Sequence, residues 1–199
     1  MKNKGFTLVE LLAIIVILGV VATIITPVVQ KSLKANKEKV YEILVDQIKD
    51  YTKDYLTKNT NQLPDNDGEV STIKFIDLKK EGLLQINVVN PVNDNIISNE
   101  SVVKVTRKNN NYTYEVVTYD LVDVDEVEEG APTISLSSYT QECSTACELE
   151  IMEDASRQII YNGEEVSSID LNDKGIYTVY YSKLENDKLG ISIKTVTVK

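Results

Sequence analysis

Glu10 is the only ionisable side chain between Lys4 and Lys31. It stands in a stretch where residues 11–25 are aliphatic apart from Gly19 and Thr23. A carboxylate in such a setting is costly in lipid unless a partner meets it, so it marks a functional position. The other reactive types are scarce. There is no histidine, which removes His-based nucleophile activation, His general bases and His-ligated metals. The two cysteines, Cys143 and Cys147, cannot close a tetrahedral zinc site by themselves. In an exported chain they read as a disulfide, with free thiols as the alternative. No triad, metal set or phosphate loop is present, and nothing pairs two of the scattered acids. The expectation is a protein without enzymatic activity and without a cofactor.

The elements that must hold Glu10 follow from hydropathy. Residues 6–29 are long enough to cross a hydrocarbon layer about 30 Å thick. Lys2 and Lys4 precede the run, while Lys31, Lys34, Lys37 and Lys39 follow it, so the positive-inside bias is weak. A secretory signal peptide would need a small-x-small cleavage site after the run, and Val21-Ala22-Thr23-Ile24 offers a poor one. A plain anchor explains the length but not Glu10. A buried core helix is disfavoured by the length and greasiness of the run.

The segment Lys4-Gly5-Phe6-Thr7-Leu8-Val9-Glu10-Leu11 resembles the processing motif of type IV prepilins and type II secretion pseudopilins. The likeness continues through residues 14–19 to Pro27, close over about 30 residues and looser to residue 58. The resemblance implies a leader of residues 1–5, cleavage between Gly5 and Phe6 by a membrane prepilin peptidase, and N-methylation of Phe6. It implies partners as well: copies of the chain and other pilins in a filament, an assembly platform and an ATPase. The physics fits. Cleavage creates an α-amino group at Phe6, mostly cationic at neutral pH. Glu10 of one subunit pairing with the Phe6 amine of a neighbour would set the axial register, so cleavage acts as an assembly switch. Pro27 removes a helical hydrogen bond and Gly19 weakens the helix locally. The family suggests that this stretch loosens on entering the filament; a kinked membrane helix is the plainer account.

Beyond residue 28 the helix turns amphipathic. Leu33, Val40, Leu44, Ile48, Tyr51 and Tyr55 fall on one face. A helix over residues 6–58 is about 80 Å long at 1.5 Å per residue. Its first half suits lipid or a filament core, and its second half carries a head on the apolar stripe. A coiled-coil stalk would need sustained heptads with e/g charge pairs, which are missing.

Residues 59–120 read as a small α+β pilin-like head. The cluster Pro64-Asp65-Asn66-Asp67-Gly68-Glu69 is a turn; it lacks the downstream spacing of a calcium loop. Residues 72–81 predict a helix, capped by Ser71 or Thr72 and ended by Gly82. Residues 101–107 and 112–119 predict strands joined at Asn109-Asn110-Asn111. Residues 121–131 form an acidic linker after Asp120, solvated and extended, or a charged edge strand through Leu121, Val122 and Val124.

Residues 132–199 predict short strands at 133–137, 148–152, 158–161, 176–184 and 191–198, with hairpin turns at Asn162-Gly163 and Asp173-Lys174-Gly175. The pattern Asp173-x-Gly175-x-Tyr177 with the closing run of residues 194–198 resembles small bacterial immunoglobulin-like surface domains, which implies a β-sandwich. Tyr139, Tyr161, Tyr177, Tyr180 and Tyr181 are packed strand residues or, on the bolder reading, a binding surface. The fold class is therefore α+β: a long helix with a membrane-spanning first half, a small head, then an all-β immunoglobulin-like sandwich.

Charge separates along the chain. The net charge is -10, with seven lysines and five acids in residues 31–60 but 12 basic and 25 acidic residues in 61–199. An acidic exterior repels phosphate, so no direct nucleic-acid binding is expected. The expected function is a structural pilin or pseudopilin, with a minor pilin acting as an adhesin through residues 132–199 as the alternative. The expected location is the cell membrane by a single pass, then a cell-surface filament.

Overall fold

The computed structural model describes residues 7–134, 140–144 and 147–199. Gly5, Phe6 and Tyr139 lie outside them, as does most of the strand expected at 133–137; Thr133 and Ile134 themselves are not in a strand.

Helix α1 runs over Leu8–Lys58. It ends where the backbone N–H and the side-chain amide of Asn59 both donate to the Tyr55 carbonyl, at 3.1 and 3.0 Å. Its buried residues are Ile48, Thr52, Tyr55 and Leu56, with Leu44 and Tyr51 half-buried beside them. The expected stripe is corrected at its start. Leu33 and Val40 are exposed, because the head touches the helix at Lys37 through Asp94 but packs on it only from Tyr41, whose hydroxyl is 2.7 Å from Thr118 Oγ1.

Strands β1 (Val70–Lys74), β2 (Val102–Lys108) and β3 (Asn111–Val117) form an antiparallel sheet in that order. The β2–β3 turn is Asn109-Asn110, both at positive φ (51° and 66°), which asparagine tolerates better than most residues. The helix expected at 72–81 begins later, as α2 over Phe75–Lys80. Ser71 and Thr72 are strand residues rather than caps. The β-branched run supplies β1, which pairs Ile73 with Val103 and buries it. Gly82 does close α2, at φ 69°. The core under this sheet joins Ile48, Tyr55 and Leu56 to Phe75, Leu78 and Val103. Residues 83–97 wrap it without regular structure beyond two isolated bridges, Val89 to Ile96 and Ile97 to Asp120.

Strands β4 (Thr140–Cys143), β5 (Ser156–Tyr161), β6 (Glu164–Val166), β7 (Gly175–Glu185) and β8 (Lys188–Val198) form a second sheet, ordered β4-β8-β7-β5-β6. β4 runs parallel to β8 and the other pairs are antiparallel. Asn162-Gly163 turns β5 into β6. Asp173-Lys174-Gly175 is not a hairpin turn, since β7 pairs with β5 and β8 rather than β6. The β7–β8 hairpin turns instead at Asn186-Asp187, at φ 51° and 58°. Residues 148–152 are not a strand. They form an irregular cover in which Leu149 and Met152 pack on Tyr177, Val179 and Tyr181, and the Tyr181 hydroxyl donates to the Glu150 carbonyl at 3.2 Å. Cys143, at the end of β4, is buried and joined by a disulfide to Cys147, just before this cover. The sandwich reading needs a second sheet; among the described residues, irregular segments with Leu149, Met152, Ile169 and Leu171 face this one.

Residues 121–131 are packed rather than extended. Leu121 is buried with Leu189 and Ile191, and Val122 and Val127 join them. Three apolar side chains within one acidic stretch give it a docking face, while its carboxylates and Val124 stay exposed.

The two sheets meet through a buried polar junction. The Asn99 N–H donates to Gln158 Oε1 at 2.7 Å, and Gln158 Nε2 donates to Glu165 Oε2 at 3.0 Å. Lys79 Nζ pairs with Glu165 Oε2 at 2.9 Å. Lys74 Nζ and Ser156 Oγ both reach the Glu100 carboxylate, and the Ser98 and Ser182 hydroxyls meet at 3.1 Å.

Candidate assembly site

A helix beginning in an apolar medium has four backbone N–H groups without carbonyl partners. The sequence Thr7-x-x-Glu10 supplies an answer. Thr7 is the N-cap, in extended conformation, and its Oγ1 accepts from the Glu10 N–H at 3.3 Å. Glu10 Oε2 accepts in return from the Thr7 N–H and from Thr7 Oγ1, both at 2.8 Å. This is a capping box, with Glu10 on its third position. The carboxylate that looked isolated thus holds the start of its own helix. Sequence reasoning missed this role, although a threonine three residues before a glutamate at the head of an apolar run is the recognised signal.

From Leu8 to Val29 the helix is exposed on every side. Ile14, Ile15, Val16 and Ile17 are each at least 44% accessible, and four successive positions about 100° apart leave no covered face. None of the most apolar 18-residue window is buried. The cylinder is about 33 Å long, matching a hydrocarbon layer of about 30 Å. Its hydroxyls are internally satisfied: Thr23 Oγ1 donates to the Val20 carbonyl and Thr26 Oγ1 to the Ala22 carbonyl, both at 2.7 Å. Pro27 lies inside α1 and leaves the Thr23 carbonyl without its helical donor.

The structure brings Glu10 and Thr7 together at the N-terminus and places Pro27 about 25 Å along the same rod. Cys143 and Cys147 belong to the second sheet and take no part in this site. Chemically, the rod offers an apolar cylinder for lateral packing and one carboxylate near its end. Among the described residues no group of three or more His, Cys, Asp or Glu is arranged to hold a metal.

Residues 1–26 match the family model of the prokaryotic N-terminal methylation motif. That motif is of the prepilin type and is consistent with a type IV pilin or pseudopilin. With the exposed apolar helix it fits a membrane-anchored precursor that ends at the cell surface. No curated protein and no solved structure matches the chain.

Proposed function

We propose that this chain is a structural filament subunit, cut between Gly5 and Phe6 by a prepilin peptidase, methylated on the new Phe6 amine, and assembled through α1. The observation that carries the reading is the methylation motif set at the head of a helix whose first half is apolar and uncovered on all sides. Such a cylinder is stable in lipid or among other such cylinders, and not in water. Passing from lipid to a bundle of helices exchanges one apolar neighbour for another, so packing detail and polar pairs decide the outcome. Extraction from the membrane is driven by the ATPase and platform of the assembly machine. Glu10 of an incoming subunit meets the Phe6 amine of its neighbour and fixes the register.

Mass spectrometry of the exported protein tests the reading. The expected N-terminus is N-methylated Phe6. An exported chain that still begins at Met1 overturns it.

A further inference from the structure

Between the apolar cylinder and the part of α1 packed under the head lies a stretch that the head touches only at Lys37 and Tyr41. Residues 30–43 span about 21 Å of helix. Leu33, Val40 and Ile43 are 58%, 51% and 52% exposed there. Lys31 and Lys39 have no acidic partner among the described residues, and Lys34 reaches Glu38 only at 4.0 Å. Lys37 alone is engaged by the head, with Asp94 at 2.6 Å. These lysines stand on the flank opposite the leader, against the usual bias of basic residues about a membrane span.

The base of the head carries the opposite charge. Tyr41 meets Thr118, and Asn90 and Asn93 both donate to the Asp120 carboxylate, so the stretch that follows Asp120 starts level with Tyr41 and Lys37. Asp123, Asp125 and Glu126 then stand exposed without a cation among the described residues, while Lys188 reaches the Glu128 carboxylate at 3.1 Å and the Glu129 carbonyl at 2.6 Å. Val124, 53% exposed, sits among them. A second copy shifted along the helix axis by about 15 Å, the rise from Lys31 to Tyr41, sets this acidic base beside the lysines of the first.

We infer that the uncovered face of α1 over residues 30–43 docks the acidic base of the head of a neighbouring copy, with Lys31, Lys34 and Lys39 meeting Asp123, Asp125 and Glu126. The inference rests on the filament reading. Complementary charge gives the contact its register, and Ile43, about 40° around the helix from Lys39, gains apolar cover.

The test uses filaments of the full chain assembled from isotope-labelled and unlabelled subunits, treated with a zero-length carbodiimide. Mixed-isotope cross-links between the neck lysines and the acids of residues 123–129 are expected. Reversing Lys31, Lys34 and Lys39 to Glu should cut filament yield about tenfold, the sum of three exposed pairs of ordinary strength. Adding Asp123→Lys, Asp125→Lys and Glu126→Lys should restore it. Normal filaments whose cross-links stay within one isotope overturn this docking and leave the filament reading standing. Loss of yield that the second reversal does not rescue overturns it in favour of anionic lipid headgroups as the lysines' partner. A processed wild-type chain that forms no filament overturns both.

Discussion

Replacing Lys79 by Met should loosen the joint between the two sheets. The ammonium and the Glu165 carboxylate are 2.9 Å apart, with side chains only 6% and 7% exposed. Burial holds the Lys79 ammonium below the usual lysine range despite the attraction of Glu165. Desolvation therefore outweighs the pairing, and the cost of a half-removed pair is large. Loss of one partner from a buried pair costs about 3–5 kcal/mol. Gln158 Nε2 still donates to Glu165 at 3.0 Å in the variant, which puts the expected cost near the lower bound, about 3 kcal/mol. With a urea slope of about 2 kcal/mol/M, the midpoint falls by about 1.5 M. The chain has eleven tyrosines and no tryptophan, so tyrosine fluorescence of the detergent-solubilised full chain reports the transition. The double variant Lys79→Met with Glu165→Leu removes both charges and should return to within about 1 kcal/mol of the starting stability. A single variant whose midpoint moves by less than about 0.3 M would refute the claim that this pair is buried and mutually dependent.

Gly190→Ala should be strongly destabilising, by about 2 kcal/mol, since its Cβ would lie 1.9 Å from the Pro132 carbonyl oxygen, a backbone atom that cannot step aside. A thermal midpoint equal to the parent's would show that residues 130–133 do not pack on β8 as described. Acid should weaken the folded part beyond α1 in a defined window. The Glu69 carboxylate is held below its ordinary 4.5 by the N–H groups of Asn66 and Asp65, and Asp154 below its ordinary 3.8 by Lys183. Groups lowered by folding stabilise above their unfolded values, and that contribution is lost as pH falls through the lowered ones. Urea midpoints should therefore fall below about pH 4.5, and the double variant Glu69→Gln with Asp154→Asn should show a shallower acid slope.

What the sequence disclosed and what it hid divide along physical lines. The apolar cylinder, the β2–β3 turn at Asn109-Asn110 and the strands of the β7–β8 hairpin were legible, because each rests on local periodicity or on residues that tolerate positive φ. The start of α2 was misplaced because Ser71 and Thr72 suit both a cap and a strand, and pairing with β2 decided between them. The acidic stretch after Asp120 reads as solvated by its charge. Its three apolar residues bind it to β8, which only the tertiary arrangement reveals. The junction was hidden for the same reason: Asn99, Glu100, Gln158 and Glu165 are ordinary polar residues in sequence, and only their convergence makes them a buried network.

The capping box changes what Glu10 must be. An acid tolerated in lipid only through a neighbour's amine would be under strain in every unassembled subunit. Here both described contacts of its carboxylate fall on Oε2, and both come from Thr7 of the same chain. Under the filament reading the acid is therefore accommodated before assembly. The capping role also fixes the carboxylate at the very end of the rod, one turn from the residue that cleavage would make terminal. A neighbour's amine then competes with, or adds to, a local bond rather than rescuing an isolated charge. Under the filament reading this makes assembly a trade between two satisfied states.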